Sequence, residues 1–127
     1  MDILLDTHAL WWFLSGTEKM PDTARETILN PGNTIYVSIA SVWEVAIKMS
    51  IGKLNFEGGL DGFSEAIENE GFALLDITTG HIKAVKDLPF LHRDPFDRML
   101  AAQAIVEGLS VMTADADMKK YDINAIW

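Results

Sequence analysis

The strongest constraint on this chain is an alternation: short apolar runs, too brief to be helices, recur between longer segments with helical spacing. Ile3-Leu4-Leu5 is the first run, and residues 34–37, 72–75 and 109–112 supply three more, the second of them β-branched and aromatic. Between them, helices are expected at residues 9–15, 21–29, 38–51, 63–69, 78–87 and 94–107. Pro21 opens the second, the turn Asn30-Pro31-Gly32-Asn33 closes it, and Gly52, Gly71 and Gly108 stop later ones. A last strand around Ile123 is expected to complete the sheet. Apolar strands alternating with helices argue for an α/β fold whose central parallel sheet is covered on both faces. No repeat, low-complexity tract or Pro/Gly-rich linker divides the chain, so residues 1–127 are read as one domain.

In such a sheet, chemistry collects at the carboxyl ends of the strands. Asp6 lies just past the first run and Asp115 just past the fourth. Composition makes these acids more pointed. Ten Lys and Arg face nineteen Asp and Glu, a net charge of −9, where a protein holding a polyanion by basic patches alone should be basic. Either the substrate is not a nucleic acid, or bound cations supply the attraction, or acids cluster because they hold a divalent metal. Cysteine is absent, which excludes disulfides, thiolate metal sites and thiol nucleophiles. The start shows no cationic region or small-residue cleavage site, and the longest apolar run, residues 9–14, is too short to span a bilayer. A cytoplasmic protein without a membrane partner is expected.

Each acid has a structural reading beside the chemical one. Asp6 is well placed to cap the helix that follows it, and only its company argues for a metal ligand. Glu44 lies in Ser41-Val42-Trp43-Glu44-Val45-Ala46-Ile47-Lys48, a helix apolar almost all round and therefore expected to be buried. Ser41, Glu44 and Lys48 are its only polar stripe. A plain Glu44–Lys48 surface pair would explain it, but a buried carboxylate needs a partner or a metal. In His92-Arg93-Asp94-Pro95-Phe96-Asp97-Arg98, Asp94 fits a helix N-cap ahead of Pro95, and Asp97 completes what resembles a capping box. The small residues Ala101, Ala102 and Ala104 would let that helix press on the sheet and carry Asp97 over the strand ends. In Thr113-Ala114-Asp115-Ala116-Asp117, one Asp is expected to cap the stretch 116–121, leaving the other to face the same edge as Asp6. Thr7 and Thr113 could hold neighbouring carboxylates. His8, His81 and His92 show no metal spacing; His92 alone is a candidate for touching phosphate. Trp11, Trp12 and Trp43 read as core or interface.

Together, Leu4-Leu5-Asp6-Thr7-His8-Ala9-Leu10, the segment around Glu44, His92 through Ala104, and Thr113 through Asp117 resemble the PIN-domain family, and within it the VapC-type ribonuclease toxins of prokaryotic toxin–antitoxin pairs. The resemblance runs in order over essentially the whole chain. It implies a three-layer α/β/α domain, dependence on one or two Mg²⁺ or Mn²⁺ ions, and endonucleolytic cleavage of RNA. It carries an acidic quartet onto Asp6, Glu44, Asp97 and Asp115, with Asp94 and Asp117 as neighbours of its members. It also implies a small antitoxin that inhibits the enzyme and a toxin homodimer.

The chemistry suits the residues. Clustered carboxylates repel one another unless a cation sits between them, and hard cations take oxygen ligands while keeping several waters. A water acidified by such an ion can attack a phosphodiester, Asp6 and Asp97 being expected on the main ion with Glu44 and Asp115 completing its shell. Lys48, Arg93 and Arg98 would help draw in phosphate. Two rivals remain on sequence. A phosphoryl-accepting receiver domain needs an acidic pair after its first strand, where this chain has only Asp6. A non-catalytic PIN-like interaction module would use the acids merely as caps and ion-pair partners.

Overall fold

A computed structural model describes all residues, Met1–Trp127. Its elements are β1 (Asp2–Leu5), α1 (Thr7–Ser15), α2 (Asp22–Leu29), β2 (Thr34–Ser38), α3 (Ile39–Ser50), α4 (Gly59–Asn69), β3 (Ala73–Leu75), α5 (Thr79–Asp87), α6 (Pro95–Glu107), β4 (Ser110–Met112) and β5 (Ala125–Ile126). A single 3-10 turn at Met118–Lys120 separates the last two strands. All four strand pairings are parallel, in the order β3-β2-β1-β4-β5. Six helices flank the sheet, the three-layer α/β/α arrangement expected.

The period of two along each strand explains why both faces need covering. Ile3 and Leu5 of β1, Ile35 and Val37 of β2 and Met112 of β4 point into one core with Leu10, Phe13, Ala24, Val45, Phe63 and Ile67. Leu4 and Val111 point into the other with Leu100, Ala101, Ala104, Met118 and Tyr121. Ala101, Ala102 and Ala104 are all buried, so the small-residue face of α6 does lie against the sheet.

Several boundaries differ from expectation for local reasons. α1 starts at Thr7 because Asp6 caps it. α4 begins at Gly59, four residues early; Gly58 and Gly59 both take positive φ, and the glycine-rich start conceals a helix whose Phe63 and Ile67 are buried. The last strand lies at Ala125–Ile126 rather than around Ile123, since Ile123 is held in a turn by its N–H donating to the Tyr121 carbonyl. α3 is not buried all round: Ile39, Trp43 and Ile47 are exposed, while Ser41 and Glu44 of its polar stripe face inward.

The order of strands sets the site. From β1 the chain builds outward through β2 and β3, then returns to place β4 on the other side of β1. The crevice at that reversal lies between the carboxyl ends of β1 and β4, where an open parallel sheet leaves room for a ligand.

Candidate functional site

Asp6 stands at the end of β1, where its N–H donates to the Met112 carbonyl of β4 at 3.1 Å. Its Oδ1 accepts the Ala9 N–H at 2.7 Å, so the capping role is real. The carboxylate is only 3% exposed, and burial raises its pKa above the usual value, opposed by hydrogen bonds from the Thr113 hydroxyl and Ala9. The charge of Asp115 pushes it up further. Oδ1 thus serves the cap, on a carboxylate that is nonetheless buried beside the charge of Asp115.

Asp94 and Asp97 divide the labour at the start of α6. Asp94 Oδ1 accepts the N–H groups of Phe96 (2.8 Å) and Asp97 (3.1 Å). The reciprocal bond of a capping box is missing, because the Asp94 N–H donates to His92 Nδ1 instead. Asp97 is thus free to turn inward, and its Oδ2 lies 3.0 Å from His92 Nε2. Burial first, then the charges of Asp94 and Asp6, raise its pKa to about 7; His92 opposes this and Glu44 adds to it. That the charges of three other carboxylates bear on Asp97 is the electrostatic sign that acids converge on it.

Beyond β4, the expected split between Asp115 and Asp117 does not occur. Asp115 does both jobs: Oδ1 accepts the Asp117 N–H at 2.8 Å, and Oδ2 meets His92 Nε2 at 3.0 Å. Its own N–H donates to Thr113 Oγ1. Asp117 pairs with Lys120 at 2.8 Å, which lowers its pKa, and does not cap the 3-10 turn. His92 is the residue that sequence reasoning undervalued. It bridges Asp97 and Asp115; burial pulls its pKa down, but the Asp115 hydrogen bond and the charges of Asp97, Asp115 and Asp117 prevail and raise it. Lack of metal spacing hid it, although its position two residues before a helix cap was a usable signal. Ligand atoms of His92, Asp115 and Asp117 all lie within 4.8 Å of one another and could hold an ion.

Glu44 enters from α3, which packs against both α1 and α6. It is 6% exposed, with Lys48 Nζ 2.8 Å from Oε2. The Glu–Lys pair exists, yet on a buried acid. Glu44 Oε1 is the one buried side-chain polar atom in the protein without a hydrogen-bond partner. An orphaned buried carboxylate oxygen is costly, and a cation or an ordered water resolves it. Its charge reaches Asp97, and oxygen donors of this kind suit a hard divalent ion, but the ligand atoms that lie within 4.8 Å of one another are those of His92, Asp115 and Asp117 and not the expected quartet.

Two supporting residues, Thr7 and Arg98, are placed differently from expectation. Thr7 does not hold a carboxylate: its hydroxyl donates to Ser41 Oγ at 3.0 Å and ties α1 to α3. Thr113 does so at Asp6, while at Asp115 its Oγ1 accepts the backbone N–H. Arg98 is turned away from the acids and spent on structure, donating to the carbonyls of Pro89 and Val85 and to the Tyr121 hydroxyl. His81 is fully buried at the far end of α6, with Nε2 2.8 Å from Glu107.

A family model described as PIN domain matches residues 3–124. No curated protein sequence matches the chain. Among solved structures, it is similar to VapBC2 from Rickettsia felis bound to a DNA fragment from their promoter, at 18% identity and TM-score 0.74, covering 99% of this chain and 98% of that one. FitAcB from Neisseria gonorrhoeae gives 17% identity and TM-score 0.68, covering 98% and 96%. A toxin–antitoxin complex from Klebsiella pneumoniae gives 16% and 0.65, with the same coverage. At these identities the likeness is one of fold.

Proposed function

The chain belongs to the PIN-domain family, and from that premise we propose that it is a metal-dependent endoribonuclease, the toxin of a toxin–antitoxin pair. What supports this reading is that the charges of Asp6 and Glu44 raise Asp97 and that of Asp115 raises Asp6, while Glu44 keeps a buried Oε1 with no hydrogen-bond partner. The oxygen donors suit Mg²⁺ or Mn²⁺. When bound, such an ion supplies an acidified water and offsets charge developing on the phosphate.

The chain's own residues do the positioning. The Ala9 N–H and Thr113 fix the Asp6 carboxylate. Asp94, by taking the backbone donors of α6, leaves Asp97 unencumbered. His92 holds Asp97 and Asp115 at a common distance, and Lys48 orients Glu44. Attack by water would leave the RNA 2′-OH unused and form no 2′,3′-cyclic phosphate; with O3′ as the leaving oxygen, taking up a proton, the products carry a 5′-phosphate and a 3′-hydroxyl.

The partners follow from the same reading: RNA as substrate, a small antitoxin as inhibitor, and a second copy of the chain. Three of the structural relatives are described as a VapBC pair, FitAcB and a toxin–antitoxin complex. For the second copy, the outward ridge of α3 (Ile39, Trp43, Ile47) is apolar at a spacing of four. It is flanked by two apolar cavities, one of about 240 Å³ lined in part by Ile77, Phe96 and Met99, the other containing Val42 and Leu74.

End-mapping of RNA incubated with the wild type and with Asp6→Asn, with and without Mg²⁺ or Mn²⁺, tests the reading. Metal-dependent 5′-phosphate ends, absent with Asp6→Asn, are expected. Cleavage undiminished in EDTA by metal-free protein, or 2′,3′-cyclic phosphate ends, would overturn it.

A further inference from the structure

The loop between α5 and α6 presents an aromatic ring in an unusual state. Phe90 is 73% exposed, yet the segment around it is braced on several sides. The Arg98 guanidinium lies 5.0 Å from the ring centroid and donates to the Pro89 carbonyl and the Tyr121 hydroxyl. The Leu91 N–H donates to that same hydroxyl. An exposed phenyl group on a braced loop loses little freedom when a flat partner stacks on it.

Beside Phe90 is a cavity of about 430 Å³ lined by Phe90, Leu91, His92, Arg93 and Asp117. His92 is shared with the acidic site, where its Nε2 lies 3.0 Å from both Asp97 and Asp115. Arg93 is exposed and makes no ion pair, although acidic residues lie on both sides of it, at Asp94 and Asp117. An apolar face, an unpaired guanidinium and a wall in common with the candidate metal ligands are the parts of a single-strand binding site.

We propose that this cavity is a nucleobase subsite: Phe90 stacks on the base of the nucleotide next to the scissile phosphate of a single-stranded RNA, and Arg93 meets that nucleotide's phosphate. The proposal rests on the ribonuclease reading and adds which side of the acidic cluster the strand leaves by. RNA is favoured over a basic peptide because Arg93 would repel the cationic side chains that the acidic cluster attracts.

The test uses a short labelled single-stranded RNA of mixed sequence, read by anisotropy on the Asp6→Asn chain and by cleavage with Mn²⁺ in the chain retaining Asp6. Phe90→Ala should weaken RNA binding by roughly 5- to 100-fold, the range that removal of one base–aromatic stack gives. Phe90→Trp should restore it, and Arg93→Ala should reduce its salt dependence. An abasic ribose at one position beside the cleavage point should weaken binding to the parent by a similar factor and add nothing to Phe90→Ala. Equal binding by parent and Phe90→Ala, or a loss the same at every abasic position, would overturn the subsite while leaving the ribonuclease reading intact. Undiminished RNA binding together with lost binding of the cognate antitoxin would overturn it in favour of a protein-docking pocket. Failure of the parent to bind or cleave any RNA would overturn both.

Discussion

Asp94 and Asp97 lie within one turn of each other and carry different loads, which makes them the sharpest pair for mutation. Asp94 accepts two backbone N–H groups, so Asp94→Ala should cost about 1 kcal/mol, as lost helix caps typically do. Calorimetry should register a lower Tm, with partial metal-dependent cleavage kept and most of the stability recovered in Asp94→Asn. Asp97→Asn should abolish cleavage without lowering the metal-free Tm, because a neutral isostere relieves repulsion from Asp94, Asp6 and Glu44. Active Asp97→Asn with dead Asp94→Asn would move the ligand to Asp94. A pH effect follows from the same group. The folded chain holds the Asp97 proton up to about pH 7, whereas an unfolded aspartate releases it near about 3.9. Its contribution to stability is therefore fully present below about pH 4 and lost as pH rises through 7. Asp6 and His92, both raised, act in the same direction. Metal-free protein should thus lose on the order of 5 °C in Tm between about pH 5 and 8, a fall that is smaller in Asp97→Asn and reversed by Mg²⁺. At this scale the sequence showed where the acids lie but not which atoms they use. That Asp94 would cap was legible from Pro95; that Asp6 could cap and still face the site was not, since a carboxylate's two oxygens are invisible in a one-letter code. His92 was missed because its partners, Asp97 and Asp115, meet only through the fold.

α3 turns an ordinary amphipathic rule inside out at one end of the molecule. Its sequence is apolar enough to read as a buried helix, but burial is governed by what surrounds a helix, and α3 packs against α1, α4 and α6 on one side only. There the inward face meets acids and receives Ser41 and Glu44, while Ile39, Trp43 and Ile47 are left outside. Periodicity could identify the stripe of Ser41, Glu44 and Lys48 but not its direction, because solvent and a polar crevice select the same residues. The element's function hangs on Glu44, half satisfied by Lys48 and half orphaned. Glu44→Gln keeps the shape, removes one of the mutually repelling charges, and offers an amide in place of the orphaned oxygen. Cleavage should fall by two orders of magnitude or more if this oxygen completes the metal shell, each tenfold being about 1.4 kcal/mol of lost stabilisation of the transition state. Metal-free Tm should stay level or rise. A Glu44→Gln chain with wild-type turnover and a lowered Tm would instead make Glu44 the simple partner of Lys48.

At the scale of the whole molecule, the alternation of strands and helices was enough to place a parallel sheet between two helical layers, because only covered faces accommodate strands apolar on both sides. The strand order β3-β2-β1-β4-β5 was not legible, since pairing is set by packing between elements distant in sequence. Nor could composition say where the excess of acid would sit. With −9 distributed over 127 residues, two copies approaching one another repel, and any association must overcome that through apolar contact. The ridge of Ile39, Trp43 and Ile47, with Trp43 60% exposed and its ring 5.1 Å from Phe96, is the surface that can supply it. Placed face to face, two such ridges would meet around a two-fold axis, each able to seat side chains in the other's flanking cavities. The charge then dictates an unusual pair of salt responses. Raising ionic strength would screen the repulsion between copies and strengthen such a dimer, but would weaken contacts with RNA phosphate. Light scattering on size-separated protein should therefore show the dimer fraction rising with NaCl while RNA affinity falls. Ile47→Lys, on the exposed ridge, should yield a monomer with a metal-free Tm close to that of the wild type at low concentration. A wild type that remains monomeric at high salt and high concentration would show that the ridge of α3 meets some other partner.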